Sequence, residues 1–224
     1  MNFNNSVFPE AHVERASLKD QATELLREMI VSGKIASGSK VTERDVAEWL
    51  NISRMPTRDA LMELERQGLI VTKPGGRYVI ELDEQAIRHL YQLRTSLEKL
   101  AVELAIGTAS QDNQNALEFI LAKMRHAIAV GDSAAYIASD LEMHELIWQQ
   151  AGNPYLLDML NSMIGLIFMF IASQARMIED WQESLRLHEQ LVEMIGAKDV
   201  PAAVQSIEAH IRHSFDLALS VFQK

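Results

Sequence analysis

The chain has 224 residues, enough for one large domain or two ordinary ones, and 48% of them are hydrophobic. It contains no cysteine, which excludes disulfide bonds and thiolate metal sites and is typical of a reducing compartment. The formal net charge of −10 is uneven, since residues 1–80 carry 11 basic and 11 acidic side chains and the remainder carries 10 and 20. Because an acidic surface repels phosphate, this asymmetry predicts two domains with different partners.

The beginning of the chain predicts an arm and then a helix. Residues 1–17 are polar and lack the basic and apolar stretches of a signal peptide, so we expect a flexible arm and a cytoplasmic protein. Apolar residues then recur at helical spacing over 18–32, and Gly33 is a typical residue at a helix end.

The next segment has the layout of a helix-turn-helix. Thr42 is placed to cap a short helix, and Ser53 is placed to cap a second helix with Pro56 in its first turn. Arg54 and Arg58 are four residues apart, so they share an exposed face near the start of this second helix. In helix-turn-helix proteins that part of the helix contacts bases in the major groove. The segment therefore predicts binding to double-stranded DNA.

Two short strands, at 69–72 and 77–80, follow around a turn that contains Gly75 and Gly76. A hairpin directly after a recognition helix is the wing of a winged helix, and a glycine tip can approach a minor groove or a phosphate closely. The alternative is an ordinary small helical bundle with solvated arginines. We favour DNA binding because the helices, the arginines and the hairpin agree with one another.

Residues 18–80 resemble the winged-helix domain of the GntR family of bacterial transcription regulators. The matching motifs include Val-Thr-Glu-Arg-Asp-Val-Ala at 41–47, Ile-Ser-Arg-Met-Pro-Thr-Arg-Asp-Ala-Leu at 52–61 and Leu-Glu-x-x-Gly-Leu at 64–69. The chain departs from the family at Ser37, where proline is common, and at Thr57, where valine is common. The resemblance implies DNA contacts from the recognition helix, its flanks and the wing tip: Arg44, Ser53, Arg54, Met55, Arg58, Gly75, Gly76 and Arg77.

Six helices and no strand are predicted after residue 83. Glycine, proline and asparagine breaks separate helices near 84–106, 112–130, 133–151, 154–177, 179–197 and 200–222. Connections this short favour antiparallel neighbours and hence an all-α bundle. The longest apolar run, 163–172, is too short to span a bilayer, so we expect no membrane partner. The predicted organisation is an arm at 1–17, a winged helix at 18–82 and a helical domain at 83–224.

One carboxylate and three imidazoles are placed to converge inside this bundle. Asp140 and His144 are four residues apart and share one helix face. His188 and His210 each lie 11 residues from the predicted turn at Asp199, so an antiparallel hairpin brings them to one height, roughly 16 Å along its axis. This donor set suits Zn²⁺, with Ni²⁺ and Mn²⁺ as alternatives. The competing interpretation treats each histidine as an ordinary core or surface residue.

Residues 84–220 resemble the ligand-sensing FCD domain of the FadR-type branch of the GntR family. The matching pieces include Arg-x-x-Leu-Glu at 94–98 and Asp-x-x-x-His at 140–144, and six helices rather than seven suggest the VanR-like subgroup. The resemblance implies that Arg94 meets the carboxylate of an effector, for which a planar guanidinium is suited. The alternative for Arg94 is a surface ion pair with Glu98. The resemblance also implies four metal ligands: Asp140, His144, His188 and His210.

The predicted function is a ligand-responsive transcription regulator, more specifically a repressor. A small organic acid would bind in the helical domain, and the domain would form a homodimer that places two winged helices one DNA turn apart on a pseudo-palindromic operator. One alternative is a metal-dependent hydrolase fused to a DNA-binding module, since His144 and Glu145 begin a zinc-protease motif. Trp148 replaces its second histidine, so we expect no enzyme and no catalytic residues. The other alternative is an architectural DNA-binding protein with a purely structural helical domain.

Overall fold

The computed structural model of the protein describes residues 17–174, 181–220 and 222. The arm predicted at 1–17 falls outside these residues except for Ser17. The break between helices that was predicted at 179–180 also falls outside the described residues. So do the predicted end of one helix at 177 and the predicted start of the next at 179.

The N-terminal part of the molecule combines three helices with a small sheet. The helices are α1 (Leu18–Val31), α2 (Glu43–Leu50) and α3 (Arg54–Arg66). Three antiparallel strands, β1 (Lys40–Val41), β2 (Ile70–Lys73) and β3 (Gly76–Val79), pair in the order β1-β3-β2. The predicted hairpin is confirmed with each strand shifted by one residue. Strand β1 was not predicted, because two residues are too few to show an alternating pattern.

Local chemistry explains where the helices of the helix-turn-helix begin and end. Thr42 Oγ1 accepts a hydrogen bond from the Asp45 N–H at 3.1 Å, as predicted, and Asn51 ends α2 in the left-handed conformation with φ 51°. Ser53 occupies the N-cap position of α3, but its side chain makes no capping hydrogen bond, which corrects the prediction. A capping hydroxyl accepts from the second or third residue of the helix, and the third residue here is Pro56, which has no N–H.

The remainder of the described chain forms a bundle of six helices, as predicted. Their bounds are α4 (Glu84–Gly107), α5 (Gln111–Val130), α6 (Ser133–Gln150), α7 (Pro154–Gln174), α8 (Gln182–Gly196) and α9 (Val200–Ser220). Helix α9 packs on both α4 and α8, α5 packs on α6 and α8, and α6 also packs on α4. The bundle core contains the fully buried side chains of Trp148, Tyr136 and Phe168.

Helix α7 packs on both parts of the molecule. It contacts α1 as well as α4, α6 and α9. By length and composition its segment Pro154–Ala172 could cross a membrane, although the apolar run considered from sequence was shorter. Half of that segment is buried inside the protein, and a core helix passes the same test of length and composition. Met169 belongs to the N-terminal core and Phe168 to the bundle core, so adjacent residues of one helix serve two cores.

Candidate metal and effector site and DNA interface

The four side chains expected to converge in the helical bundle meet in its interior. Asp140, His144, His188 and His210 are all buried, and one ligand atom from each lies within 4.8 Å of the others. Asp140 Oδ1 is 2.9 Å from His188 Nε2, 3.2 Å from His144 Nε2 and 4.0 Å from His210 Nε2. Ligand atoms bound at 2.0–2.1 Å to a tetrahedral ion lie about 3.4 Å from one another, so these separations fit one divalent ion.

The α8–α9 hairpin positions two of these histidines as predicted. The ring centroids of His188 and His210 are 4.0 Å apart, which confirms that the two residues share one height. Lys198 adopts a left-handed backbone conformation in the turn, with φ 57°. Asp199 then caps α9, because its Oδ1 accepts from the Ala202 N–H at 3.1 Å. Local turn and cap chemistry therefore sets the register that brings the imidazoles together.

Hydrogen bonds at Nδ1 orient two of the imidazoles. The backbone carbonyl of Ser184 lies 2.8 Å from His188 Nδ1, and Glu98 Oε2 lies 2.5 Å from His144 Nδ1. Both partners only accept, so each Nδ1 carries a proton, and Nε2 is the nitrogen of each ring that faces Asp140. These Nε2 atoms donate to the carboxylate when they are protonated and can bind a cation once they have lost the proton. The donor set therefore fits a divalent metal.

Asp140 and His210 are in the charge forms that bind a metal. Burial raises the pKa of Asp140, but the neighbouring His188 and His144 more than offset this and hold the pKa well below its usual range. Burial lowers the pKa of His210, and the charge of His188 lowers this pKa further, to well below its usual range. A charged Asp140 and a neutral His210 are therefore present at neutral pH, and metal binding requires these forms. Burial lowers the pKa of His144, but the carboxylate of Glu98 more than offsets this and raises the pKa, so a metal has to displace a proton from this ring.

Arg94 lies beside the metal-ligand cluster. Both Arg94 and Glu98 are only 1% exposed, and Arg94 Nε donates to Glu98 Oε1 at 2.5 Å. Arg94 Nη2 lies 3.0 Å from His144 Nε2, and the guanidinium carbon lies 5.7 Å from the ring centroid of Phe168. The ion pair that we considered as an alternative role is therefore present, but it is buried rather than at the surface. Helices α6 and α9 cover this face of α4.

A small cavity adjoins the cluster on the side of α7 and α9. Its volume is about 20 Å³, which is enough for about one water molecule. Asp140 and His210 line it together with Phe170, Trp181 and His213. An organic acid of several heavy atoms therefore fits only if part of the lining moves. His213 lies on this wall, outside the four-residue cluster.

The residues expected to contact DNA from the helix-turn-helix have exposed side chains. Arg54, Met55 and Arg58 are exposed at the start of α3, and Met55 is 75% exposed. Neither arginine has an ion pair with any residue that the structure describes. Arg44 on α2 is also exposed, but its Nε lies 3.0 Å from Glu48 Oε1.

The expected wing residues occupy different parts of the hairpin: Gly75 and Gly76 are at its tip, whereas Arg77 lies within β3. Gly75 and Gly76 have φ of 102° and 136°, which other residues rarely adopt. Arg77 lies inside β3 and turns toward the helices, with Nη1 2.9 Å from Glu43 Oε1. Lys73, at the other side of the turn, forms a looser ion pair with an exposed glutamate and was not singled out from sequence, although it adjoins the predicted turn.

These features define a class of protein: a winged-helix DNA-binding unit joined to an all-helical domain with a buried site. The family of bacterial regulatory proteins, gntR family, matches residues 18–80, and the FCD domain family matches residues 89–213. The chain belongs to the GntR family of bacterial transcription regulators, and its helical part is an FCD domain, the effector-binding domain of such regulators.

Individual relatives agree with this assignment. The chain is 30% identical to the gluconate operon transcriptional repressor of Bacillus licheniformis, over 91% of this chain and 86% of that protein. It is 27% identical to the HTH-type transcriptional repressor NanR of Cronobacter sakazakii, over 94% and 88% of the two chains. The structure of E. coli McbR/YncC has the same fold, with a TM-score of 0.87 at 20% identity, covering 93% of this chain and 100% of that one. These similarities do not favour the hydrolase alternative.

Proposed function

We propose that the protein is a cytoplasmic repressor, without catalytic activity, whose operator binding responds to a small organic acid bound at a metal in the FCD domain. The observation that carries the proposal is the buried cluster of Asp140, His144, His188 and His210 beside the guanidinium of Arg94. A metal ion and a guanidinium side by side in a buried site both attract a carboxylate. The domain boundary that we propose lies at 82–83, where Asp83 caps α4.

The metal that we propose is Zn²⁺, with Ni²⁺ and Mn²⁺ as alternatives, because imidazole nitrogen and carboxylate oxygen suit these ions. When bound, the ion would supply a positive charge and open coordination positions for an anion. We expect His188→Ala to lose stoichiometric metal by elemental analysis of the dialysed protein. The exposed His126→Ala serves as the control and should keep one ion per chain. Stoichiometric metal in His188→Ala would overturn the four-ligand site.

Arg94 is the residue that we propose for recognition of the effector's carboxylate. A thermal-shift screen of carboxylic acids would identify ligands, since a specific ligand stabilises the folded protein by mass action. With the best acid from that screen, Arg94→Ala should reduce the change in operator affinity that the acid causes, while ligand-free operator affinity stays intact. If both fall equally, the role of Arg94 is structural.

The proposed operator contacts come from exposed groups of the winged helix. Arg54 and Arg58 have no ion pairs with described residues and can therefore bond to bases, while Met55 offers an apolar contact for a thymine methyl group. The hydroxyl of Ser53, which makes no capping bond, is free to bond to a phosphate. Arg44 and the wing residues Gly75, Gly76 and Arg77 complete the proposed set. The ion pair of Arg77 with Glu43 on α2 favours a role in holding the wing.

A homodimer is the proposed binding unit for a pseudo-palindromic operator. Helix α4 offers a row of leucines at alternating spacings of three and four residues, which is the pattern of a helix–helix seam. Leu93 and Leu100 in this row are 45% and 41% exposed, and the whole row is Leu90, Leu93, Leu97, Leu100 and Leu104.

We expect the double variant Leu93→Glu/Leu100→Glu to be monomeric by light scattering and to lose operator affinity. Phe119→Glu, at an apolar position of α5 that is also exposed, is the control. A dimeric double variant would exclude this surface as the dimer interface.

A further inference from the structure

Glu98 forms hydrogen bonds with His144, a proposed metal ligand, and with Arg94, the residue proposed to bind the effector. Its Oε1 accepts from Arg94 Nε at 2.5 Å, and its Oε2 accepts from His144 Nδ1 at 2.5 Å. The indole Nε1 of Trp148 also donates to Oε2, at 3.2 Å. Glu98 does not belong to the four-residue cluster and is nevertheless almost completely buried.

We infer that Glu98 is a positioning residue that fixes His144 for the metal and Arg94 for the effector, an inference that rests on the proposed function. A carboxylate acts only as an acceptor, so it keeps the proton of His144 on Nδ1 and leaves the lone pair of Nε2 for a metal. The same carboxylate holds the guanidinium of Arg94 close to that nitrogen. Loss of such a partner typically lowers metal affinity about 10- to 100-fold.

The isosteric Glu98→Gln tests this role. A glutamine amide has an oxygen at only one of the two positions, so its NH2 group faces either Arg94 or His144, both of which donate. We expect the Zn²⁺ dissociation constant, measured by competition with a chelator, to rise about 10- to 100-fold. Glu103→Gln, at an exposed position of the same helix, is the matched control. A Zn²⁺ affinity within twofold of this control would overturn the inference.

Nitrogen-15 NMR of the histidine rings gives a second measurement, which a general loss of stability would not reproduce. At a pH where the His144 ring of metal-free wild type is neutral, its proton should lie on Nδ1 and not on Nε2, whereas Glu98→Gln should contain both tautomers. A neutral wild-type ring with its proton on Nε2 would overturn the inference even if Glu98→Gln failed to fold. If wild type binds no metal, the proposed function fails while this tautomer test still decides the role of Glu98.

A different observation concerns the way the two parts of the molecule are joined. Gly165 lies on the side of α7 that contacts the N-terminal unit. A Cβ atom at this position would lie 3.7 Å from Leu69 Cδ2 and from Val31 Cγ2. Met169, one turn further along, is 2% exposed within the N-terminal core. On its other face, α7 places Phe168 in the bundle core and Phe170 on the wall of the 20 Å³ cavity.

The geometry points to α7 as the element that couples the effector site to the winged helix, and this also rests on the proposed function. A ligand larger than the cavity has to displace the cavity wall, and Phe170 and Ile171 belong to that wall. Closely packed interiors pass such displacements on to neighbouring elements. Because Met169 is buried in the other core, a shift of α7 also shifts the packing of the DNA-binding unit.

A substitution at Gly165 tests this coupling with Zn²⁺ alone as the probe. Gly165→Ala makes only ordinary contacts and is the control, whereas the longer side chain of Gly165→Leu wedges α7 away from α1 and Leu69. Coupling between sites is typically about 5- to 150-fold in affinity. We therefore expect Gly165→Leu to change the Zn²⁺ dissociation constant at least fivefold, and Gly165→Ala less than twofold.

Equal Zn²⁺ affinities for the two variants would overturn the coupling. Met169→Ala perturbs the same contact between α7 and the N-terminal unit at a second position. It should also change the Zn²⁺ dissociation constant, and it provides the test if Gly165→Leu fails to fold. If wild type binds no metal, the NMR signals of the His144 and His210 rings replace Zn²⁺ affinity as the readout. Signals that Gly165→Leu leaves at their wild-type positions would then refute the link.

Discussion

Substitution of Arg94 by methionine measures how much stability the protein loses when Glu98 stays buried without its ion-pair partner. Methionine retains most of the apolar stem, but Glu98 loses its hydrogen bond to Arg94 Nε and the positive charge opposite its Oε1. Glu98 keeps its donors from His144 and Trp148, so its carboxylate stays buried with less compensating charge. Breaking a buried pair from one side typically destabilises a protein by about 3–5 kcal/mol, and we expect this cost for Arg94→Met.

The same helix provides a matched control. Arg88 and Glu84 form an ion pair at 2.6 Å with the same four-residue separation, but their side chains are 43% and 49% exposed. Exposed pairs contribute about 0–1 kcal/mol, so Arg88→Met should cost little. Urea unfolding followed by circular dichroism, with a chelator present, compares the variants without a contribution from metal binding.

The double variant Arg94→Met/Glu98→Gln extends the same test. It removes both charges while the amide oxygen can still accept from His144 and Trp148, so it should recover part of the lost stability. A difference of less than about 1 kcal/mol between Arg94→Met and Arg88→Met would refute the reasoning, because burial would then make no difference to the pair.

Further predictions concern DNA binding, metal removal and pH. Arg58→Ala should weaken operator binding by about 1–3 kcal/mol and relax base choice, measured by fluorescence anisotropy, and Arg186→Ala on α8, with the same charge change, should not. Chelation should lower the melting temperature of wild type but not of His188→Ala, and added Zn²⁺ at 100 times its dissociation constant should restore about 2.7 kcal/mol. The hydrogen bond from Arg66 lowers the pKa of Glu63 from 4.5 to about 2, so its stabilising effect is complete above pH 4.5 and disappears as the pH falls toward 2. Glu63→Gln should therefore lower the urea midpoint more at pH 6 than at pH 3, and an equal loss at both pH values would contradict this pKa.

Much of the fold could be predicted because it depends on local patterns. Helical periodicity and glycine breaks marked the six bundle helices, and the hairpin was predicted to within one residue. The meeting of His188 and His210 was also predictable, since distance from a single turn fixes height in a hairpin. The absence of a capping hydrogen bond to the Ser53 side chain could also have been predicted from sequence, because Pro56 lacks the N–H that such a bond requires.

Other features depended on contacts between distant parts of the chain. The spacing of Arg94 and Glu98 predicted their contact, but the packing of α6 and α9 decided that the pair is buried. Strand β1 exists because β3 pairs with it, and Arg77 turns inward because Glu43 on α2 is within reach.

The sequence by itself determined the winged helix, the six helices and the set of four metal-ligand candidates, because short-range spacing and turn chemistry encode them. Only the tertiary structure decided that Glu98 joins two of the candidate residues and that Phe168 and Met169 of α7 enter different cores. The physical reason is that helical spacing shows which residues share a face, whereas long-range packing selects the neighbour that each face meets.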